Sequence, residues 1–242
     1  MTSKKHWTLR AAGLLFALVL ITSCFVGGTF AKYVTSKSAS DTARVARFGV
    51  VIEAHDNTAF KTTYDTDTAG ISSVATSTTD SLVAPGTKED NAVILSITGK
   101  PEVAVHVELS MTGTDVVLNA GTYPDLTTAA ADDTFTLEND YHPITYTLTK
   151  TGAAAPVVTG KLDDIIDYLN GLSDNYPAKT DLTSTIGEYE LSWEWKFEGG
   201  NDQADTLLGT LATSATAVPG VGVGNYSPSV HFKLTATVTQ ID

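Results

Sequence analysis

The residues able to do chemistry are few and widely spaced. The five histidines, His6, His55, His106, His142 and His231, never fall at a zinc-ligand spacing, and no His-Glu-x-x-His run is present. Zinc needs three or four nitrogen or sulfur ligands gathered by short, fixed spacings, so a zinc peptidase is not supported. Serines are plentiful, yet none stands in a Gly-x-Ser-x-Gly elbow, and no glycine-rich loop opens a helix in phosphate-binding form. Oxygen ligands are better represented, in Asp65/Asp67, Asp132/Asp133 and Asn201/Asp202/Asp205. Calcium accepts such ligands, but none of the three sets has an EF-hand spacing, and solvated loop acids are the ordinary state of an acidic chain. Asn201, Asp202 and Asp205 are the set retained for a structural calcium; no other cofactor is expected. Trp193 and Trp195 suit a sugar-binding surface in principle. They share a period-two face with Tyr189, Leu191 and Phe197, however, which reads as core. Nothing here favours an enzyme, and a hydrolase using paired carboxylates is the least supported class.

The remaining chemistry is done to the chain. Lys4, Lys5 and Arg10 precede an apolar run over residues 11–26, and Thr29-Phe30-Ala31 places small residues three and one before a potential cut. A basic start, a short apolar segment and a small-x-small end are the parts of a signal peptide. Cleavage is expected after Ala31, leaving Lys32 as the new N-terminus. The run falls short of the roughly 20 residues that span a bilayer, so a permanent anchor is the weaker reading. Cys24, the sole cysteine, sits in Ile21-Thr22-Ser23-Cys24, which also fits a lipidation site. On either reading the rest of the chain forms no disulfide, and its stability rests on packing and sheet hydrogen bonds.

Charge narrows the partners. The chain carries 15 basic against 28 acidic residues, and after residue 31 the balance is 12 against 28, a formal −16. Nucleic acid and anionic membrane surfaces are repelled by such a body, leaving membrane contact to the signal peptide before cleavage.

The elements that must position all this are strands. Residues 32–41 are short, polar and rich in Ser and Thr. Residues 43–54 read as a first strand with Ala46, Phe48, Val50 and Ile52 on one face. The Thr/Ser/Asp-rich residues 56–80 read as a loop or a pair of edge strands. Residues 91–98 are nearly all apolar, the signature of a central strand, and Gly99-Lys100-Pro101 reads as the turn of a hairpin to residues 103–111. Residues 112–133 are expected to form an elaborated loop, and Ile144, Tyr146 and Leu148 a further strand. Leu162, Ile165, Ile166 and Leu169 share a helical face, with Asp163 and Asp164 in the first turn and Gly171 at the end. Residues 188–198 form an aromatic strand, residues 199–206 an acidic loop, and residues 230–241 a closing strand. The predicted fold is all-β: a single antiparallel β-sandwich, jelly-roll-like, with one or two short helices. It spans residues 32–242, after a signal-peptide helix at residues 1–31.

Several of these stretches together resemble the TasA/camelysin family of bacterial biofilm-matrix fibre proteins, whose signal peptides are removed by the dedicated peptidase SipW. They are Gly27-Gly28-Thr29-Phe30-Ala31-Lys32-Tyr33, Ala46-Arg47-Phe48, residues 82–86, the segment from Trp193 to Gly209 and the closing Val238-Thr239-Gln240-Ile241-Asp242. The resemblance implies a secreted structural subunit, on the surface or in the matrix of a Gram-positive bacterium, that polymerises with copies of itself. It implies a donor strand immediately after the cut, Lys32, Tyr33, Val34, Thr35, Ser36 and Lys37 and on to residue 41, with Thr29, Ala31 and Lys32 as the processing residues. The metallopeptidase activity attributed to camelysin does not carry over, for want of ligands. The competing reading is a monomeric surface binding module or adhesin, held by a lipid on Cys24.

Overall fold

The computed structural model describes residues 4–30, 44–54, 59–66, 73–128, 132–213 and 218–241. The chain divides into two compact units, Met1–Val45 and Ala46–Asp242. The first contains helix α1 (Lys4–Phe30), whose apolar residues are spread around its axis rather than gathered on one face. Among the described residues no helix is long and apolar enough to cross a membrane.

The second unit is β-rich. It runs β1 (Val50–Ala54), β2 (Thr63–Asp65), β3 (Ser73–Thr76), β4 (Lys88–Gly99), β5 (Val105–Thr114), β6 (Val117–Leu118), β7 (Gly121–Pro124), β8 (Thr134–Leu137), β9 (Ile144–Lys150) and β10 (Val158–Gly160). Helix α2 (Leu162–Asn170), β11 (Asp174–Tyr176), helix α3 (Leu182–Thr185), β12 (Gly187–Trp195), helix α4 (Asp202–Thr213), β13 (Tyr226–Ser227) and β14 (His231–Gln240) follow. Two larger antiparallel sheets, ordered β1-β4-β12-β9-β10 and β11-β5-β14, are joined by three two-stranded ones, and none closes on itself.

Period two builds the core. Tyr189, Leu191, Trp193 and Trp195 of β12 are all buried, as are Val105, Val107, Leu109 and Met111 of β5 and Ile144, Tyr146 and Leu148 of β9. With α2 and α4 they form one apolar cluster. At about 1.5–3 kcal/mol for each large side chain removed from water, these three rows alone supply much of the force for folding. The apolar run of β4 lies between two partners, β1 and β12, as its lack of alternation predicts. Register slips against β12 between Tyr189 and Glu190 let the adjacent Ile94 and Leu95 both be buried. Helix α2 keeps its expected apolar face, with Leu162, Ile165 and Leu169 buried, and Asp164 accepts the Lys161 N–H at 2.8 Å across its first turn.

Several expectations are corrected. Strand β1 begins at Val50, not at residue 43, because Gly49 adopts φ +57° and ends the extended run; Phe48 is left exposed. The segment Gly99-Lys100-Pro101 is not a hairpin turn. Gly99 pairs with Val50 of β1, and β5 belongs to the other sheet, so the segment is a crossover. Gly99 has φ +114°, and a Cβ there would collide with the Gly49 carbonyl. Residues 112–133 hold the end of β5 and the whole of β6 and β7, the last paired with β8 rather than looped. The acidic stretch from Asp202 is the first turn of α4. Phe197 lies beyond the end of β12 and is 70% exposed, outside the aromatic core row.

Candidate functional site

Thr29 falls in the last turn of α1, whereas Ala31, Lys32, Tyr33, Val34, Thr35, Ser36 and Lys37 lie outside the described residues, as does the rest of the stretch to residue 41. The described chain resumes at residue 44 and is fastened at Arg47. Its N–H donates to Glu102 Oε2 at 2.8 Å, and its carbonyl accepts the Glu102 N–H at 2.9 Å. The entry to β1 is therefore fixed against the crossover.

A site that takes up a strand must be a stretch of sheet whose backbone groups are unspent on one side. Most edges of this body are short or sealed. Strand β10 has three residues, and α2 packs against it. On one side of β5, β11 pairs with residues 105–107, and side chains continue the ladder where β11 stops. Ser173 Oγ accepts the Leu109 N–H at 2.9 Å and donates to the Leu109 carbonyl at 3.2 Å; Asn170 does the same for Met111. Strand β14 differs. It pairs with β5 over its full length, from His231 opposite Thr114 to Gln240 opposite Val105, and no described residue bonds its other backbone edge. Its inward row, Phe232, Leu234, Ala236 and Val238, is half-buried, while the facing row of β5 is buried. Strand β1 passes close by without pairing, and Val51 and Ile52 are exposed on it.

Two buried carboxylates bracket elements of the core. Asp205, 9% exposed, accepts hydrogen bonds from Tyr141 Oη at 2.8 Å and Trp195 Nε1 at 3.2 Å, both on Oδ1. Burial raises its pKa above the usual carboxylate range, and the two donors partly offset that rise; burial and the facing carboxylate in turn raise the Tyr141 hydroxyl. Asp115, 8% exposed, accepts from Tyr146 Oη at 2.8 Å and from the Val116 N–H at 2.8 Å. His142 Nδ1 lies 3.2 Å from its second oxygen, a donor in the tautomer that carries the proton there. Burial raises the Asp115 pKa as well, against the pull of Tyr146 and His142. Both carboxylates act as brackets. Asp205 ties α4 to β12, and Asp115 ties the end of β5 to β9.

The calcium candidates are therefore differently placed than their spacing implied. Asn201 gives its carbonyl to the Asp205 N–H, Asp202 stands in the first turn of α4, and Asp205 is committed to Tyr141 and Trp195. Among the described residues no group of three or more His, Cys, Asp or Glu side chains is placed to hold a metal ion. Asp202 and Asp205 line a cleft of about 530 Å³ with Pro85, Phe197, Glu198, Gly200 and Thr206. Sequence spacing missed both brackets, because Asp115 and Tyr146 are 31 residues apart and Tyr141 and Asp205 are 64 apart. No family model, curated protein or solved structure matches the chain.

Proposed function

We propose that this protein is a non-enzymatic, secreted structural subunit of an extracellular fibre of the biofilm-matrix kind. Its two larger sheets form a jelly-roll-like sandwich, and copies assemble head to tail by donor-strand complementation after cleavage behind Ala31. The observation that carries this reading is a β-rich body with a long sheet edge whose backbone has no partner among the described residues. Such an edge is an aggregation hazard that monomeric proteins ordinarily blunt with charge, proline or a covering loop. A processing site just ahead of a polar, proline-free segment supplies the complement: the segment becomes free to add to an edge only once the chain is cut. The resemblance at residues 27–33 to the TasA/camelysin export junction points the same way. A head-to-tail contact that does not close on itself grows into a filament.

The test is electron microscopy of the mature chain from Lys32 beside one that lacks residues 32–41. Filaments are expected from the first alone; equal assembly by both would remove the donor strand from the account.

The acidic cleft beside exposed Phe197 supports a second reading, a monomeric surface module or adhesin held through Cys24. It predicts a lipid-modified N-terminal cysteine by mass spectrometry and a monomer by size exclusion.

A further inference from the structure

We infer that the cleft at the start of α4 is a binding site for a guanidinium group, of the kind an arginine side chain carries. The site is a property of the β-rich body alone and goes beyond the fibre reading above.

At about 530 Å³ the cleft has the size of those that hold small ligands. Three of its lining residues are acids, Glu198, Asp202 and Asp205, and none is basic. No described residue forms an ion pair with any of the three. Asp205 is the unusual member. It is 9% exposed, and both of its side-chain donors, Tyr141 Oη and Trp195 Nε1, fall on Oδ1. Oδ2 meets no donor among the described residues, yet it is not sealed in the core, so its lone pairs open on the cleft that the residue lines. A carboxylate held this deeply ordinarily has donors on both oxygens, and a bound cation supplies the missing one.

Phe197 adds an aromatic surface. It is 70% exposed, directly after a strand whose Tyr189, Trp193 and Trp195 are all buried. The ring is nonetheless positioned, because it packs over Gly86. The Gly86 N–H donates to the Trp195 carbonyl at 2.7 Å, and a Cβ on Gly86 would lie 3.6 Å from Phe197 Cβ and Cδ2.

The spacing of the acceptors selects the cation. Among the described residues no three His, Cys, Asp or Glu side chains gather about one point as a metal ion requires. A ligand that meets Glu198, Asp202 and Asp205 together must therefore present donors in several directions. A guanidinium does so: it is planar, carries five N–H donors in a fixed fork, is more weakly hydrated than an ammonium and stacks on aromatic faces. A lysine ammonium is a compact, strongly hydrated point charge and fits spread acceptors less well. Pro85 and Phe197 give the apolar stem of an arginine side chain a surface to lie on. The strongly acidic body also steers cations towards the site.

Two indoles report binding. Trp195 Nε1 donates to the carboxylate that receives the ligand, whereas Trp193 Nε1 donates to the Ala59 carbonyl. Isotope-edited NMR of the full chain in mild detergent follows both indole N–H resonances during titration with N-acetyl-arginine methylamide, its lysine counterpart, agmatine and Ca²⁺. Expected are a saturable shift at Trp195 with the arginine amide, none at Trp193, and weaker binding of the lysine amide. Glu198→Gln and Asp202→Asn, at exposed positions outside the core, are each expected to weaken binding by about twofold to fivefold. Phe197→Ala is expected to weaken it by about threefold. No shift at Trp195 under excess arginine amide overturns the site. Equal response to the lysine amide overturns guanidinium recognition and leaves unspecific attraction to acids. A Ca²⁺ response that abolishes the arginine one overturns it in favour of a metal. Agmatine binding as tightly as the arginine amide upholds the guanidinium site with a free small molecule as its ligand, and tighter binding of the amide upholds it with the side chain of a protein partner. Filament formation is not among these measurements, so loss of this site leaves the fibre reading standing, and absence of filaments leaves the site standing.

Discussion

Asn170 brackets Met111 as a neighbouring strand would: its Oδ1 accepts the Met111 N–H at 2.6 Å and its Nδ2 donates to the Met111 carbonyl at 3.1 Å. A carboxamide offers both halves of a backbone ladder from two separate atoms, as the single Ser173 hydroxyl does for Leu109 from one. Placed at the end of α2, it closes the side of β5 that β11 leaves open at Met111. Replacement by Ala leaves two buried-edge groups of Met111 without partners, at a cost of about 1–3 kcal/mol, eased slightly by the better helix propensity of Ala. Urea denaturation of Asn170→Ala checks this; a loss under about 0.5 kcal/mol would mean that water replaces the amide.

Trp193 fastens the stretch before β2 to the core. Its Nε1 donates to the Ala59 carbonyl at 2.6 Å, and its ring lies 5.4 Å from Phe60 and 5.7 Å from Tyr64. Trp193→Phe removes the hydrogen bond and is expected to cost about 1–2 kcal/mol; Trp193→Ala also opens a cavity and is expected to cost about 3–5 kcal/mol. Hydrogen exchange should then show β2 and β3 released ahead of β12. Uniform loss of protection across both would show that the hairpin is not a separate unit.

Much of this body is legible in its sequence wherever one strand face is buried, since period two then marks the row directly. Strands β5, β9 and β12 and helix α2 fall where alternation and helical spacing put them. Pairing is less visible. Gly99-Lys100-Pro101 has the composition of a tight turn, and only the three-dimensional partner of Gly99, Val50, reveals a change of sheet. Helix α4 is hidden differently. Ala204, Leu207, Leu208 and Leu211 keep helical spacing and are buried, but Gly209 and the clustered acids at the start mimic a loop. The edge at β14 leaves its trace in the sequence as an ordinary amphipathic strand. That its second side has no backbone partner among the described residues belongs to topology, which no local pattern encodes.

The Gly99 crossover makes a sharp prediction. Any Cβ at this position meets the Gly49 carbonyl, and φ +114° is a conformation that side chains rarely adopt. Gly99→Ala is therefore expected to destabilise the fold by about 2–4 kcal/mol and to unpair β1 first, because relief requires Gly49 to move. Gly152, whose φ is +84° but whose surroundings are open, is the control: Gly152→Ala carries the backbone strain without the collision and should cost about 1 kcal/mol. Equal losses at the two sites would place the whole effect in φ.

The buried carboxylates set a pH dependence opposite to that of paired surface acids. In Asp205 and Asp115 burial outweighs the hydrogen bonds, so the folded pKa lies above the unfolded value of about 3.9. Between those two values the native state holds more protons than the unfolded state, and stability falls as pH rises. The contribution of each group is fully present below about pH 4 and is lost as pH climbs through the raised folded pKa, with a limiting slope of about 1.4 kcal/mol per pH unit. Asp205→Asn keeps an oxygen to accept from Tyr141 and Trp195 but cannot ionise. Its stability relative to the parent should therefore improve as pH rises above about 4 and level off once the parent's raised folded pKa is passed, and Asp115→Asn should follow with the same sign. Guanidinium denaturation of parent and variants at pH 4, 5, 6 and 7 measures the difference directly. Parallel curves would show that the two carboxylates titrate alike in the folded and unfolded chain, and that Tyr141, Trp195, Tyr146 and His142 fully offset their burial.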